Sequence, residues 1–444
     1  MALDRSERRR SELLQDRYGL EVTTSSEEAC NAYVAAVDRV LAADGHVENV
    51  LATAIQADPS FALAHAAIGR QHHLMGRGKD ARAALETATN LAASTTVREQ
   101  QHVEILRNIV TGQIPTSFEL TQEHLTDYPR DALVLAPACG VFGTIGFSGR
   151  IDREVEQLAF LESLATHYGD DWWFQTVHAF ALVETGAWER GRDLAQRSLE
   201  QRPSNSHGAH TLVHALYEQG ADKEALAFMS DWMPSAERHG LLHCHVSWHY
   251  ALLLLTDGQH DAAIQTLEDG CFPHSTESPS INVFTDASSF LWRAELAGVP
   301  RSRGHWETIR DYYEESFRRP IVFVDAHAGL AYAALGEEEK LSACIGQLQE
   351  LGEAGRLPAE TTAATLTRGY EAYATGSWST AIEILEPLMD QVVRIGGSRA
   401  QRDLITNTLL AAYVNDGRTD DAKAFIDTEH DRQPSHLVAG LTAS

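Results

Sequence analysis

Ten regularly spaced glycines set the strongest constraint on how this chain can fold. Each follows a helical stretch rich in alanine and leucine and precedes a polar helix start, and successive glycines lie 34 to 41 residues apart. Glycine readily adopts the left-handed conformation that ends a helix, and the short polar residues that follow can cap the next helix. The pattern predicts helix hairpins that turn at these glycines, namely Gly76, Gly112, Gly146, Gly186, Gly220, Gly258, Gly298, Gly336, Gly376 and Gly417.

This period is typical of tetratricopeptide repeats, whose helix–turn–helix unit has about 34 residues. We therefore predict an all-α, tetratricopeptide-like helix-hairpin solenoid, a right-handed superhelix that could close around a central pocket. Residues 1–20 would form an N-terminal segment, residues 21–432 an array of about ten hairpins, and residues 433–444 a C-terminal tail that frays. Strand signals are sparse, and we interpret the apolar run at residues 321–324 as a helix start or an extended linker.

The charge balance argues against several classes of partner. The chain has 63 acidic and 36 basic residues, a formal net charge of −27. Nucleic acids and anionic membrane surfaces bind basic proteins, so we expect neither as a partner. No apolar run is long enough to suggest a membrane-spanning helix, and the charged N-terminus lacks the apolar region of a signal peptide. Five widely spaced cysteines without a C-x-x-C pair indicate buried thiols in a reducing, cytoplasmic protein.

The register of the histidines is more informative than their number, which is 21. Seven of them fall in the middle of the first helix of five repeats, the helix that lines the concave groove in tetratricopeptide arrays. Two pairs are spaced by four residues, which places both rings on one helical face with Cβ atoms about 5–6 Å apart. The seven are His102, His178, His210, His214, His245, His249 and His327, and the pairs are His210 with His214 and His245 with His249.

Three interpretations of these histidines stay open, namely metal ligands, acid/base or hydrogen-bonding groups, and structural residues. The sequence contains no H-E-x-x-H motif. In the metal interpretation His210, His214, His245 and His249 bind a divalent ion such as Zn, Fe or Mn, because two i,i+4 pairs on adjacent helices could supply four ligands. Imidazole also titrates near neutrality, and carboxylates can orient it. The candidate catalytic residues are His214, His249, Asp286, Asp325 and His327.

Other polar residues in the same register are candidates for ligand binding. Residues 98–100 and 401–403 are dense polar triplets within apolar-periodic segments, and they could be inter-repeat salt bridges or a ligand clamp. The predicted ligand-binding set is Arg98, Glu99, His102, His178, Trp248, Arg402 and Asp403.

Several short motifs are distributed along the chain, at residues 24–30, 57–59 with Phe61, 98–100 with 102–103, 184–185, 210–211 with His214, His245 with 248–249 and 251–252, Asp286 with Ser288, 325–327, 395–398 and 400–403. Together they resemble the tetratricopeptide repeat protein 38 family, from about residue 20 to about residue 430. The resemblance implies a tetratricopeptide-like helical fold. The shared positions are polar and interior by register, which a plain peptide-binding array does not need. This chain departs from the family pattern near Leu216 and Tyr217, where a further histidine is typical, which puts in doubt any site that needs a third ligand from that helix.

Two functions follow as hypotheses. The first is binding of a small molecule in an enclosed, histidine-rich concave pocket, with metal-assisted or acid/base catalysis, which makes the chain a candidate enzyme of unknown reaction class. The second is a non-catalytic scaffold that holds a peptide or partner helix in its groove. Nucleotide-dependent and serine hydrolase chemistry have no support, because the sequence contains no P-loop, dinucleotide-binding fingerprint or nucleophile elbow.

Overall fold

A computed structural model describes residues 14–428 and 432–441, and these residues confirm the all-α prediction. They form α-helices and short 3₁₀ helices, and the sole β feature among them is an isolated bridge between Gln15 and Glu21. None of the described helices is long and apolar enough to cross a membrane. Residues 1–13 of the predicted N-terminal segment, 429–431 of the array and 442–444 of the tail lie outside the described residues.

The described residues divide into two compact units, 14–138 with 166–169, and 139–165 with 170–428 and 432–441. The first unit contains α1 (Glu27–Ala42), α2 (Val47–Ala57), α3 (Ala62–Leu74), α4 (Gly78–Ala92), α5 (Val97–Val110), α6 (Ile114–Asp127) and the short α7 (Ala132–Leu135). Helix α8 (Arg153–Tyr168) follows, and most of it belongs to the second unit. The second unit continues with α9 (Trp172–Glu184), α10 (Trp188–Gln201), α11 (Ser206–Glu218), α12 (Asp222–Trp232), α13 (His243–Thr256), α14 (His260–Gly270), α15 (Ser280–Leu296), α16 (Arg303–Ser316), α17 (Val322–Leu335), α18 (Glu338–Glu353), α19 (Thr362–Ala374), α20 (Trp378–Leu385), α21 (Arg399–Asn415) and α22 (Thr419–Thr428).

Nine of the ten predicted turn glycines lie between two helices and have a positive φ. The prediction for Gly146 is wrong, because this glycine lies in a run of turns between α7 and α8. Four glycines crowd residues 140–149, and no apolar helical period accompanies them. The run at residues 321–324 is a helix start, since α17 begins at Val322.

Successive hairpins stack within each unit, as in a tetratricopeptide-like solenoid. In the second unit the first helices of the hairpins, α9, α11, α13, α15, α17 and α19, pack on one another in chain order. Helix α21 packs on α11, α15 and α19. These inner helices are therefore covered on more than one side, and polar residues on them become buried as the hairpins assemble.

The C-terminal tail does not fray as predicted over its described part. The Gln433 backbone N–H donates to the Glu218 carbonyl over 3.0 Å, and the Ala439 N–H donates to the Leu296 carbonyl over 2.8 Å. The Arg432 side chain pairs with Glu218 and Asp403. Residues 432–441 therefore pack on α11, α15 and α21 of the second unit.

Candidate metal centre

Two neighbouring helices bring four histidines together in the second unit. His210 and His214 lie on α11, and His245 and His249 lie on α13, which packs against α11. Each pair is one helical turn apart, so both rings of a pair project from the same face of the helix. The four side chains each offer a ring nitrogen, and these nitrogens all lie within 4.8 Å of one another. We call these four residues the histidine cluster.

The rings of the histidine cluster are in direct contact. Nε2 of His210 lies 2.9 Å from Nε2 of His214. Across the two helices, the ring centroids of His210 and His245 are 4.8 Å apart, and those of His214 and His249 are 4.6 Å apart. The rings are tilted or edge-to-face toward one another, so their nitrogens converge on a small shared volume.

Burial favours the neutral form of His210, His214 and His249. All four side chains are at most 9 % exposed. Desolvation, helped by the neighbouring histidines, holds the pKa of His210 and His249 well below the ordinary histidine value. Burial also lowers the pKa of His214. Neutral imidazole has a nitrogen lone pair and is the form that ligates metals, so protons compete weakly for this site at neutral pH.

Two buried carboxylates lie beside the cluster, one facing a histidine of α13 and the other a histidine of α11. His245 Nδ1 donates to Asp286 Oδ2 on α15 over 2.9 Å, which leaves Nε2 of His245 as the acceptor nitrogen. His214 Nδ1 lies 3.5 Å from Glu184 Oε1 on α9, longer than an ordinary hydrogen bond. Burial raises the pKa of Glu184, but the His214 ring, the Arg402 charge and the Arg399 backbone N–H lower it by more, so the net shift of this pKa is downward. Glu184 is therefore an ionised carboxylate.

The donor set fits one divalent transition-metal ion. Tetrahedral zinc with Zn–N bonds of 2.0–2.1 Å separates its ligand nitrogens by about 3.4 Å, and a square-planar arrangement by about 2.9 and 4.1 Å. The Nε2 atoms of His210 and His214 are 2.9 Å apart, and all four ligand nitrogens lie within 4.8 Å of one another, so both the tetrahedral and the square-planar separations fall inside this limit. The carboxylates of Glu184 and Asp286 offset a charge of +2, which a buried ion needs. In addition, Nε2 of His249 is buried without a hydrogen-bond partner among the described residues, as a nitrogen awaiting a ligand would be.

An aromatic ring and a buried guanidinium border the cluster on the side of α15. Trp248 stacks on His245 with a centroid separation of 5.2 Å and an interplanar angle of 12°, and it also meets His249 edge-on. The Arg293 guanidinium lies 5.5 Å from the Trp248 ring centroid. Trp248 is in the predicted ligand-binding set, whereas Arg293 is not. One signal for Arg293 was present, because it lies seven residues after Asp286 and so on the same face of α15.

The structure separates two predicted catalytic residues from the cluster. Asp325 does not orient any of the four imidazoles. Its carboxylate accepts from the Tyr313 hydroxyl over 2.6 Å and from the Ile321 backbone N–H over 2.5 Å, which caps the start of α17. His327 Nδ1 donates to the Phe323 carbonyl over 2.7 Å, within its own helix. The sequence predicted the positions of these side chains from their distance to the turn glycine. In the structure, hydrogen bonds within and next to α17 fix where the two side chains point.

Two further histidines of the register set also have separate partners, so the seven do not converge on one volume. His178 on α9 lies 3.9 Å from Glu162 and beside the Phe174 ring. His102 belongs to the first unit, where its Nδ1 donates to Asp131 over 3.1 Å. Equal position along successive helices does not give equal direction, because each hairpin is rotated with respect to the one before it.

The first triplet forms an internal polar network of the first unit. Arg98 donates to Asp131 over 2.8 Å and to the Glu21 carbonyl. Glu99 completes a capping box with Thr96 at the start of α5 and accepts from the Thr23 backbone. These contacts match the inter-repeat salt-bridge interpretation rather than a ligand clamp.

The second triplet is similarly occupied within the second unit. Arg402 donates to Glu154 over 2.6 Å and to the Gly397 carbonyl. Asp403 accepts from Arg432 and from the Tyr217 hydroxyl. Gln401 lies closest to the cluster, since its amide donates to Asp286 over 3.4 Å.

The described pockets lie away from the histidine cluster. One, of about 260 Å³, is lined by residues of α5 and α6 that include Gln101 and His124. Another, of about 500 Å³, lies beside Gly220 and Asp257. Neither of these two pockets is lined by any of the four histidines.

Comparison with known proteins gives only distant similarities. No family model matches this chain. Among solved structures it is similar to a Rap protein complexed with Competence and Sporulation Factor, at 10 % identity over 83 % of this chain and 96 % of that one, with a TM-score of 0.43. It is similar to a human IFIT1 dimer with m7Gppp-AAAA, at 12 % identity over 94 % and 97 %, with a TM-score of 0.42. Yeast Tom70 is similar at 10 % identity over 92 % and 84 %, with a TM-score of 0.33.

Proposed function

We propose that this chain is a metalloprotein whose histidine cluster binds one divalent transition-metal ion, of which Zn, Fe and Mn are the candidates. The observation that carries this proposal is the convergence of four buried imidazole nitrogens within 4.8 Å of one another. Imidazole is a preferred ligand of these metals, and burial leaves all four rings without bulk water to satisfy them.

The surroundings of the cluster support metal binding over a purely structural role. Asp286 and Glu184 each face the Nδ1 side of one cluster histidine, which is the arrangement that fixes the tautomer and orientation of metal-ligating imidazoles. Glu184 already faces the Arg402 charge, whereas Asp286 has no Arg or Lys partner among the described residues, so a divalent ion would supply the counter-charge that Asp286 lacks.

The ion would also make the site a candidate catalytic centre for a small molecule. A divalent ion there can polarise a bound oxygen atom or lower the pKa of a bound water. Zinc held by four imidazoles is closed in a tetrahedral geometry, whereas iron or manganese, which accept more ligands, keep a position open for an exogenous ligand. Identification of the metal therefore bears directly on whether the site is catalytic.

The metal content of the purified protein tests this proposal. We expect about one ion per chain by inductively coupled plasma mass spectrometry after purification without added metal. Replacement of one ligand, His249→Ala, should abolish retention of the ion. A matched control is His178→Asn, which removes another buried histidine of the same unit that lies outside the cluster. A chain that retains no ion, and whose melting temperature does not respond to Zn²⁺, Fe²⁺ or Mn²⁺, contradicts the proposal.

The scaffold hypothesis has no comparable support. It predicts an open groove with exposed apolar or basic patches. The large hydrophobic side chains exposed among the described residues are Val97, Ile151, Val155 and Ile321. Only Ile151 and Val155 lie near each other in the chain. A patch of that size is ordinary for a protein surface.

A further inference from the structure

A buried cation beside the histidine cluster lacks a carboxylate partner. Arg293 is 1 % exposed, and its Nη2 donates to the backbone carbonyls of Ala400 and Gln401. Its Nε has no hydrogen-bond partner, and no acidic group of the described chain lies within ion-pair distance of this guanidinium. The nearby carboxylate of Asp403 is already held by Arg432 and Tyr217. Asp403 acts on Arg293 only from beyond ion-pair distance, so a buried guanidinium that also keeps an unpaired Nε–H favours an added anion.

Two further buried donors next to Arg293 also lack acceptors. Nε1 of Trp248 and Oγ of Ser289 have no partner among the described residues, and these side chains are 0 % and 2 % exposed. The guanidinium of Arg293 lies 5.5 Å from the Trp248 ring centroid. Ser289 precedes Arg293 by four residues on α15, so the two share a helical face. Buried polar groups are normally paired, and three unpaired donors in one place indicate a missing acceptor.

These three donors adjoin the proposed metal site. Trp248 stacks on His245 and contacts His249. Asp286, which binds His245, lies three residues before Ser289 on the same face of α15. A ligand held by Arg293, Ser289 and Trp248 is therefore next to the cluster, on the side that α15 covers.

We propose that Arg293, Ser289 and Trp248 form a binding site for a small carboxylate, which places the anion beside the metal ion of the proposed function. All three groups donate hydrogen bonds, and a guanidinium pairs well with a planar carboxylate. Because Arg293, Ser289 and Trp248 are at most 2 % exposed, the site suits a ligand of only a few heavy atoms. The position of the carboxylate beside a metal ion rests on the proposed function. Binding of the carboxylate itself depends only on the three donors.

Titration with ¹³C-labelled formate, followed by NMR line broadening, tests this site in the full chain. We expect saturable binding to both metal-loaded and chelator-treated protein. Ser289→Ala and Trp248→Phe each remove one donor and should weaken binding about 3- to 10-fold, and Arg293→Lys should weaken it at least about 10-fold.

The chain offers matched controls for both donors. Ser288→Ala removes the neighbouring buried hydroxyl, which already donates to the Phe284 carbonyl over 2.7 Å. Trp292→Phe removes a buried indole N–H that already donates to Thr408 over 3.0 Å. Both controls should bind formate within twofold of the wild type.

The two proposals fail in different ways. The carboxylate site is overturned if neither the metal-loaded nor the chelator-treated protein binds formate saturably. It is also overturned if the donor variants and their controls bind formate with equal affinity. Donor-dependent binding of formate to the chelator-treated protein supports the site even in a chain that retains no metal, and that result leaves only the metal proposal refuted.

Discussion

The Asp286 carboxylate controls which nitrogen of His245 carries the proton. Because Nδ1 donates to this carboxylate over 2.9 Å, Nε2 is left to bind an ion. In Asp286→Asn the amide can donate to Nδ1 instead, which favours the wrong tautomer. We expect zinc affinity to fall about 10- to 100-fold, measured by competition with a chromophoric chelator.

A second buried carboxylate provides the control for that experiment. Asp325 is 5 % exposed and binds Tyr313 and the Ile321 backbone, with no cluster histidine among its partners. Asp325→Asn should leave zinc affinity unchanged although it also removes a buried charge. Equal losses in both variants would show that zinc affinity follows general stability rather than the orientation of His245.

His327 should make the stability of the second unit depend on pH. Burial lowers the pKa of His327 to about 4, whereas an unfolded histidine titrates near 6.5. Between these values the unfolded chain binds a proton that the folded chain does not, so stability is complete above about pH 6.5 and falls as the pH decreases toward 4. The loss from this residue should be about 2 kcal/mol between pH 7 and pH 5.

Urea unfolding of wild type and His327→Asn at both pH values isolates this contribution. The asparagine amide can keep a hydrogen bond to the Phe323 carbonyl but does not titrate. We expect the variant to lose about 2 kcal/mol less than the wild type on acidification. An identical pH dependence in the two proteins contradicts the assignment to His327.

At the residue level, the four histidines were accessible from the sequence and most of their partners were not. Spacing by four residues fixes a shared helical face, which is local information. Whether Asp286 or Asp325 touches an imidazole depends on how α15 and α17 are rotated against α13, and a single helix does not encode that rotation. Arg293 was missed because its importance depends on having no carboxylate partner in three dimensions, which the sequence does not show.

The same distinction explains the outcome for whole elements. Turn glycines report a local backbone requirement, so nine of the ten hairpin turns could be predicted, including the long sequence from α9 to α22. The predicted turn at Gly146 was wrong because this glycine has the expected spacing from its neighbours but is not flanked by the two helices of a hairpin. The docking of residues 432–441 could not be predicted, since it depends on acceptors from α11 and α15 that are distant in sequence.

Close approach of two helices in a hairpin gives a prediction for Gly191. A Cβ atom at this position on α10 would lie 2.5 Å from a Val183 methyl group and 2.9 Å from the Ala179 carbonyl of α9. We expect Gly191→Ala to destabilise the protein by about 1–3 kcal/mol through overpacking, against the helix propensity of alanine. Chemical denaturation measures the change.

Gly346 on α18 is the matched control. It is also a glycine within a helix, but no heavy atom lies within 4 Å of a Cβ built there. Gly346→Ala should therefore stabilise the protein by about 0.5–1 kcal/mol. The same sign for both substitutions would show that propensity, rather than the packing of α9 on α10, dominates at Gly191.

At the scale of the whole molecule, the C-terminal segment helps to hold the second unit together. Arg432 donates to Glu218 over 2.6 Å and to Asp403 over 2.7 Å, and both carboxylates are buried. Arg432→Ala leaves the buried Asp403 carboxylate without its ion-pair partner and leaves Glu218 only the longer pair with Arg399, so we expect a loss of about 3–5 kcal/mol in urea unfolding. Arg418→Ala, which breaks an exposed pair with Asp421, should have no measurable effect. Similar stability of both variants would mean that the segment docks without contributing to the fold.

Metal binding should stabilise one compact unit and leave the other unchanged. All four cluster histidines belong to the second unit, whereas the buried pair of His102 and Asp131 belongs to the first. At a free metal concentration 100 times the dissociation constant, linkage gives about 2.7 kcal/mol, or roughly 100-fold slower hydrogen exchange of amides that open by unfolding of the unit that binds. We expect this slowing in α11 and α13 and none in α5, measured by hydrogen–deuterium exchange with mass spectrometry.

Equal slowing in α5 would mean that the two units unfold as one. The control is the same experiment on His249→Ala, in which no helix should show slower exchange. Slowing in α5 that persists in this variant would indicate metal binding at a second location.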